Sequence, residues 1–294
     1  MGIFSCDDRW MLPLYSLQRK LEERPRNLLV YRHSPDDHTK SKMQDELFQK
    51  KPNQSTMTSI TTLKDWLLGS APPAVLIMDG GVSTHLEQLV GGTKPFSHRS
   101  LWSSSLLLTP EGRSTIQQGH ENWLQAGSDI LTTVTYQCHY GALDRDPVLE
   151  ESQMTELFQE GVRLAKAAVE ARNNKSDNYS RRKYVVASSG CYGAALADGA
   201  EYTGKYPGMT HERLVEFHQC KSHALLEQRP DGLAIETIPS HAEVRAVCQV
   251  LKDLSSASIK KATTPACWIS LACRNSSELN EEPLFKIPCK PFEN

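Results

Sequence analysis

Two carboxylates and a pair of glycines are the residues of this sequence whose types and spacing suggest chemistry. The segment MDGGVSTHLE places Asp79, Gly80 and Gly81 between a predicted strand and a predicted helix. Adjacent glycines allow a tight turn whose backbone N–H groups, together with the helix N-terminus, can bind an anion such as a carboxylate. A simple strand-to-helix turn would use the same residues, so the motif alone leaves both interpretations open.

Glu236 is the second candidate carboxylate. It ends the apolar run GLAIE and precedes TIPSHAE, so we expect its side chain at the edge of a sheet beside the start of a helix. Paired with Asp79, it could bind the ammonium of an amino acid through charge-assisted hydrogen bonds, and the pair with the Gly-Gly turn would suit a zwitterion. A carboxylate at this position could also stabilise the helix terminus or form a salt bridge.

A glycine- and alanine-rich run, SSGCYGAALADGAEYTGKY, directly follows another predicted strand. A loop of this kind could lie over a bound ligand, with Tyr192, Asp198 and Tyr202 as contacts. The alternative is a structural turn that uses glycine only for its backbone freedom.

The elements that would position these residues alternate between strands and helices. The strand candidates are AVLIM (74–78), DILTT (129–133), YVVASS (184–189), GLAIE (232–236) and CWISLA (267–272). Between them, one apolar helix face recurs at three- and four-residue spacing from Met154 to Val169, and Ser240 with Glu243 predicts a capping box. The alternation predicts a parallel sheet with helices outside it.

An open doubly wound sheet and a closed barrel both satisfy this alternation. The positions of the polar residues favour the barrel, because barrel enzymes keep their chemistry at the carboxyl ends of several strands. The residues at or just past such ends are Asp79, Thr135, Ser188 and Glu236. An open sheet also binds ligands at that edge, mainly at one crevice.

Composition excludes several classes of function. The formal net charge of -2 lacks the one-sided basic field that nucleic acid or a membrane surface requires, so neither is expected as a partner. No apolar run approaches the roughly 20 residues of a membrane span. The eight cysteines are scattered without CxxC pairs, which predicts free thiols in a reducing cytoplasm.

The chain divides into three predicted regions. Residues 1–56 are polar and interrupted, and we expect a mostly disordered N-terminal extension there. Residues 57–284 carry the alternating elements and form the predicted domain, beginning with a helix in MTSITTLKDWLLG. Residues 285–294 are predicted to be a short C-terminal tail that does not belong to this domain.

Several long motifs, in unbroken order from about residue 72 to about residue 284, resemble one family. They are DGGVSTHLEQLVGG, LWSSSLLLTPEG, HENWLQAGSDILTTVTYQC, SSGCYGAALADGAEYTGKY and AIETIPSHAEVRAV. The chain resembles the homocysteine S-methyltransferases, barrel enzymes related to betaine-homocysteine methyltransferase. The resemblance implies a (β/α)8 TIM-barrel of which this chain holds about five of the eight βα units, so the chain is expected to be C-terminally truncated.

The resemblance also implies a reaction and a binding site. The family transfers a methyl group from S-methylmethionine or S-adenosylmethionine to the sulfur of homocysteine, which gives methionine. Matched residue by residue, Asp79, Gly80 and Gly81 correspond to the homocysteine-binding turn, and Glu236 to the carboxylate that holds the amino group. Further stretches that line the pocket correspond to Thr135, Tyr136 and the loop from Gly190 to Tyr206.

Zn²⁺ is the cofactor that the resemblance implies, because a thiol must lose its proton to become a nucleophile and the family binds the substrate sulfur to zinc. The family's three cysteine ligands, one in a G-V-N-C context and two in an adjacent pair, are absent from this sequence. Cys138, His139, Cys191 and Cys273 follow strands and could point toward one mouth. A replacement site would also need tetrahedral placement and supporting contacts.

The sequence therefore predicts a homocysteine S-methyltransferase domain. The first alternative is a catalytically inactive truncated form or pseudoenzyme that lacks the zinc site and at most binds an amino acid or a partner. A second alternative is a different barrel enzyme that uses Asp79 and Glu236 as acid and base.

Overall fold

The computed structural model describes residues 3–4, 27–31, 62–67, 74–91, 96, 101–142, 149–174, 182–258, 265–275 and 278–280. Residues 285–294, predicted as a separate tail, lie outside this part. Among the described residues, no helix combines the length and the apolar character needed to cross a bilayer.

One sheet of seven described strands forms the centre of the fold. Its strands are β1 (Ile3–Phe4), β2 (Asn27–Tyr31), β3 (Ala74–Met78), β4 (Ile130–Thr132), β5 (Tyr184–Gly190), β6 (Gly232–Ile238) and β7 (Ala266–Leu271). They lie in the order β1-β7-β6-β5-β4-β3-β2. Neighbouring strands from β2 to β7 are parallel, and β1 is antiparallel to β7. A separate hairpin pairs β8 (Cys273–Asn275) with β9 (Glu278–Leu279).

Helices connect the strands. They are α1 (Leu63–Leu67), α2 (Val82–Leu89), α3 (Pro110–Gln125), α4 (Glu151–Asn173), α5 (Tyr192–Leu196), α6 (His211–Leu226) and α7 (His241–Ser258). Short 3-10 helices cover Trp102–Leu108, Tyr140–Ala142 and Ala200–Tyr202. The five predicted strands and the helices between them are confirmed.

The strand order decides between the two predicted architectures. From β2 to β7 each strand lies beside its sequence neighbour, and nowhere does the order reverse. A doubly wound sheet has a switch point where the order reverses, whereas a barrel adds its strands in one direction. The described residues therefore form a partial barrel of five consecutive family-type strands, β3 to β7, as predicted.

The strands are buried along most of their length, and successive residues pack on opposite faces of the sheet, so that both faces are apolar. On one face, Leu233, Ile235 and Ile269 pack with buried residues of the helices. On the other face, Met78, Val186, Ala234 and Trp268 pack with α1, whose buried residues are Leu63 and Trp66. The second face corresponds to a barrel interior, and α1 covers it.

Two short strands lie within residues 1–56, which were predicted to be a mostly disordered extension. β2 pairs in parallel with β3, and β1 pairs with β7. Both β3 and β7 would otherwise be edges with unpaired backbone groups, and the β2 sequence NLLVY has the apolar, β-forming character that such an edge accepts. The rest of residues 1–56 lies outside the described part.

Candidate functional site

A cavity of about 280 Å³ opens at the carboxyl ends of β3 to β6. The residues lining it are Met78, Asp79, Gly80, Gly81, Val82, Ser83, Ser103, Thr132, Thr133, Val134, Tyr136, Ser188 and Glu236. They include five of the six predicted binding residues; Thr135 is the exception. The strand ends bring these residues together because parallel strands terminate at the same edge of the sheet.

Asp79 is fully buried directly after β3. Its Oδ2 accepts a hydrogen bond of 2.8 Å from the backbone N–H of Thr132, and its Oδ1 accepts one of 2.9 Å from the Thr132 hydroxyl. Burial raises the pKa of this carboxyl to about 8, with the hydrogen bonds from Thr132 opposing the rise and the charge of Glu236 adding to it. Asp79 is thus held in a fixed position, and a cation bound beside it would favour its ionised form.

The Gly-Gly turn follows Asp79 and leads into α2. Gly81 occupies the N-cap position with a φ of 59°, a left-handed conformation that a residue with a Cβ adopts only with strain. The first N–H groups of α2 lack partners within the helix and carry its positive dipole end toward the cavity. Ser83 in this turn of α2 also contacts Ser103, with their hydroxyl oxygens 2.7 Å apart.

Glu236, near the end of β6, also lines the cavity. The Ser188 hydroxyl donates to its Oε2 over 2.5 Å. Burial raises the pKa of the Glu236 carboxyl to about 7, and the hydrogen bond from Ser188 opposes that rise. The two predicted carboxylates therefore face one cavity, and each is held by a hydroxyl from the adjacent strand.

Thr237, the next residue, has a backbone strain that the sequence did not reveal. Its φ is 63°, which is a rare conformation for a β-branched side chain. Its N–H donates to the Ser270 hydroxyl over 3.0 Å, and the pairing of β6 with β7 is irregular between Ile235 and Ile238. Strained residues of this kind concentrate at functional sites, and this one directly follows Glu236.

Thr135 stands one layer behind the cavity wall. Its hydroxyl donates to the Ser188 carbonyl over 2.7 Å and lies 2.5 Å from the Thr133 hydroxyl. The Thr133 hydroxyl accepts from the Ser188 N–H over 2.9 Å. Thr135 therefore positions the residue that holds Glu236. Thr132 and Thr133 were missed as site residues, although their hydroxyls at the end of a predicted strand were a usable signal.

The loop after β5 does not line this cavity. Tyr192 packs against Tyr206 and Phe217 at centroid distances of 5.3 and 5.2 Å. Asp198 accepts a hydrogen bond from the Ala200 N–H over 2.9 Å, and the Tyr202 side chain is 65% exposed. The three predicted ligand contacts of the loop thus contribute no wall to the cavity.

Thiols at the same edge do not form a metal site within the described residues. Cys138 and Cys191 are buried, and burial raises the pKa of each thiol to about 12, whereas Cys273 is exposed. No group of three or more His, Cys, Asp or Glu side chains there could hold a metal ion. Neither Cys nor His is among the described residues that line the cavity, whose ionisable groups are Asp79, Glu236 and the phenol of Tyr136, so these residues do not fit a thiolate-ligated zinc site.

The family pattern described as homocysteine S-methyltransferase matches residues 76–286, which include both carboxylates and the Gly-Gly turn. The chain belongs to the homocysteine S-methyltransferase family. Homocysteine S-methyltransferase 1 of Arabidopsis thaliana is 38% identical over 203 residues, covering 66% of this chain and 56% of the relative. Homocysteine S-methyltransferase YbgG of Bacillus subtilis is 32% identical over 213 residues, 70% of this chain and 61% of the relative.

Solved structures agree with the family assignment. The metallated form of the homocysteine methyltransferase MmuM from Escherichia coli is 30% identical with a TM-score of 0.60, over 73% of this chain and 68% of that chain. The oxidized form of MmuM gives the same identity and TM-score, over 64% of its length. The chain spans a little over half the length of the first curated relatives it matches.

Proposed function

We propose that this chain binds homocysteine and serves in the transfer of a methyl group to its sulfur, which gives methionine. The observation that carries the proposal is the convergence of Asp79, Glu236 and the Gly-Gly turn on one cavity. The ammonium of the amino acid would be bound by the two carboxylates, and its carboxylate by N–H groups at the start of α2. We propose Asp79, Gly80, Gly81, Tyr136 and Glu236 as binding residues, and Thr135 as their support.

The transfer forms a sulfur–carbon bond to homocysteine and breaks one in a sulfonium donor, whose electron pair returns to the leaving sulfide. S-methylmethionine and S-adenosylmethionine are both sulfonium donors of this kind. The homocysteine thiol must lose its proton first. The family's zinc would supply that activation, and because the described residues do not fit it, they support substrate binding rather than thiol activation.

A second candidate is an amino-acid-binding pseudoenzyme. The specific observation that favours it is that the thiols at this edge are either buried with raised pKa values, as in Cys138 and Cys191, or exposed, as in Cys273. In this case the carboxylate pair would still bind the amino acid, but no methyl transfer would follow. None of the described cysteines forms a disulfide, which favours a cytoplasmic location for either candidate.

One titration and one assay test the proposal. Calorimetry should detect homocysteine binding to the full chain and its loss in Asp79→Asn and Glu236→Gln. Asp198→Asn is the matched control, because Asp198 is an exposed carboxylate outside the cavity, and it should bind like the wild type. Methionine formation from either donor, with and without added zinc, then separates enzyme from pseudoenzyme. Absence of homocysteine binding would contradict both.

A further inference from the structure

A buried carboxylate outside the cavity joins three parts of the fold. Glu243 in α7 is fully buried, and its Oε1 accepts from the Tyr192 N–H over 2.5 Å and lies 2.9 Å from His218 Nε2. Its Oε2 accepts from the Tyr206 hydroxyl over 2.7 Å. The predicted capping box is half confirmed, since the Ser240 hydroxyl accepts from the Glu243 N–H. The Glu243 side chain, however, bonds to the loop after β5 and to α6.

These contacts fasten both ends of one loop to the same carboxylate. Tyr192 lies at the start of the segment 191–206 and Tyr206 at its end, and their rings pack edge to face at 5.3 Å. Phe217 of α6 packs on Tyr192 from the other side at 5.2 Å. A buried carboxylate is costly unless its lone pairs are satisfied, and here two donors from this loop satisfy them together with His218.

A buried lysine holds the residue before this loop. Lys221 of α6 is 1% exposed, and its Nζ donates to the Gly190 carbonyl over 2.8 Å. The Nζ also lies 4.6 Å from the centre of the Phe217 ring, within the range of a cation–π contact. Burial lowers the pKa of Lys221 to about 8, while the nearby Cys191, Cys138 and Glu243 oppose the change.

Gly190 connects the Lys221 contact to the cavity. It is the register partner of Glu236 in the pairing of β5 with β6. Its N–H donates to the Tyr136 carbonyl over 3.0 Å, and a Cβ at this position would lie 2.5 Å from that carbonyl oxygen and 3.0 Å from the Tyr136 ring. The Gly190 peptide therefore backs directly on two residues that line the cavity.

We infer that Lys221 and Glu243 are positioning residues for the amino-acid site: they fix the 191–206 loop and, through Gly190, the placement of Tyr136 and Glu236. The two side chains touch no residue assigned to the substrate and act through the backbone at the end of β5. The effect on ligand affinity rests on the proposed function, whereas the restraint on the loop and on Tyr136 does not.

The test compares Lys221→Met and Glu243→Gln with Lys183→Met in the full chain. Lys183 is a matched control, because it is also a buried lysine, but its Nζ pairs with Asp129 at the amino ends of the strands, away from the cavity. We expect homocysteine to bind about tenfold more weakly to the first two variants, because the loop and the residues Tyr136 and Glu236 would then have to be ordered on binding. Lys183→Met should melt at a lower temperature with unchanged affinity.

Hydrogen exchange provides the readout that needs no ligand. In Lys221→Met and Glu243→Gln, amides of residues 134–138 and 190–206 should exchange faster than in the wild type, and in Lys183→Met they should not. Tyr206→Phe removes a single hydroxyl and serves if a larger change prevents folding. Unchanged exchange and unchanged affinity in the folded variants would overturn the inference. A wild type that fails to bind homocysteine would overturn the proposed function, while the exchange comparison would still decide the positioning role.

Discussion

At the scale of single residues, Asp79 and Glu236 determine how the empty site responds to pH. Burial raises the pKa of both carboxyls, to about 8 and about 7, above the values of the unfolded chain. Between the unfolded and folded pKa values the folded state binds more protons than the unfolded state. The stability that these groups contribute is therefore fully present below about pH 4 and is lost as pH rises toward 7 to 8.

Asp79→Asn should remove part of this pH dependence. The amide can still accept from the Thr132 N–H and can donate to the Thr132 hydroxyl, so the geometry is retained. We expect the variant without ligand to melt at a higher temperature than the wild type at pH 8.5 and at a similar temperature at pH 4. Thermal unfolding at the two pH values measures this. If the melting temperatures of the two proteins differed by the same amount at both pH values, the assignment of this pH dependence to Asp79 would be contradicted.

Ligand affinity should show the opposite trend with pH, because an ammonium requires ionised carboxylates. Methionine is a suitable probe, since it has no titrating thiol. Its affinity should increase between pH 6 and pH 8, by at most about tenfold per pH unit for each proton released. Calorimetry near pH 7 in buffers of different ionisation enthalpy should report that release. Affinity that stays constant over the range would count against binding of the ammonium by this pair.

Only part of the site could be predicted from the sequence. Asp79 and Glu236 could be predicted because each ends an apolar strand, and the position of a strand end fixes where a side chain stands. The φ of Thr237 could not be predicted, since threonine has no preference for a left-handed conformation and only the irregular pairing with β7 imposes it. Thr135 was predicted to line the pocket, but its hydroxyl donates to the Ser188 carbonyl and the residue does not line the cavity.

At the scale of elements, acidic residues at the amino ends of strands link neighbouring strands of the sheet. Asp129 precedes β4 and accepts from the Ile77 N–H over 3.1 Å, and Asp231 precedes β6 and accepts from the Val185 N–H over 2.9 Å. Asp129 also pairs with the buried Lys183 at 2.9 Å. In barrels this face contributes to stability, whereas the opposite face carries the chemistry.

Asp129→Ala should therefore destabilise the fold without affecting the site directly. It leaves the Lys183 ammonium buried without its carboxylate and the Ile77 N–H without its acceptor, a loss of about 3–5 kcal/mol in the free energy of unfolding. Urea unfolding measures the change. The double variant Asp129→Leu with Lys183→Met removes both charges and should lose much less. Equal losses in the two proteins would show that the ion pair is unimportant.

Helix positions were the most predictable part of the fold, and helix contacts the least. The buried face of α4 contains every apolar residue that its three- and four-residue spacing indicates, because packing on the sheet requires one continuous stripe. The helix start at Ser240, with Glu243 three residues later, was predicted correctly. Its bonds to Tyr192, Tyr206 and His218 join residues 25 to 51 positions apart, and local spacing carries no information about such partners.

At the scale of the whole molecule, the outermost strands of the described sheet both come from the N-terminal segment. β2 pairs with β3 and β1 pairs with β7. Edge strands offer unpaired N–H and C=O groups to other chains, and this pairing makes β2 and β1 the edges in place of β3 and β7. Composition did not reveal it, because the polar residues around NLLVY dominate the average over the segment.

Proline at both Leu29 and Val30 should release β2 from β3. The two substitutions remove whichever of these amides donates to the neighbouring strand, since successive amides of a strand point to opposite sides. We expect the variant to associate more than the wild type, as seen by light scattering during size-exclusion chromatography, because the apolar strand β3 then becomes the edge of the sheet. Proline at Lys40 and Ser41, outside the described strands, is the control. A double variant that associates no more than the wild type would show that β2 does not protect β3.

Because strands β3 to β7 lie in the order of the sequence, the sheet can form in the order in which the chain is synthesised. From β3 to β7, each new strand is placed beside the one that was synthesised before it, and the intervening helix packs at the same time. Most pairings therefore close over a single strand–helix repeat, which keeps the loss of chain entropy at each step modest. The sheet can grow by addition to an existing edge as the chain leaves the ribosome, so that the wall containing Asp79 is in place before the one containing Glu236 arrives.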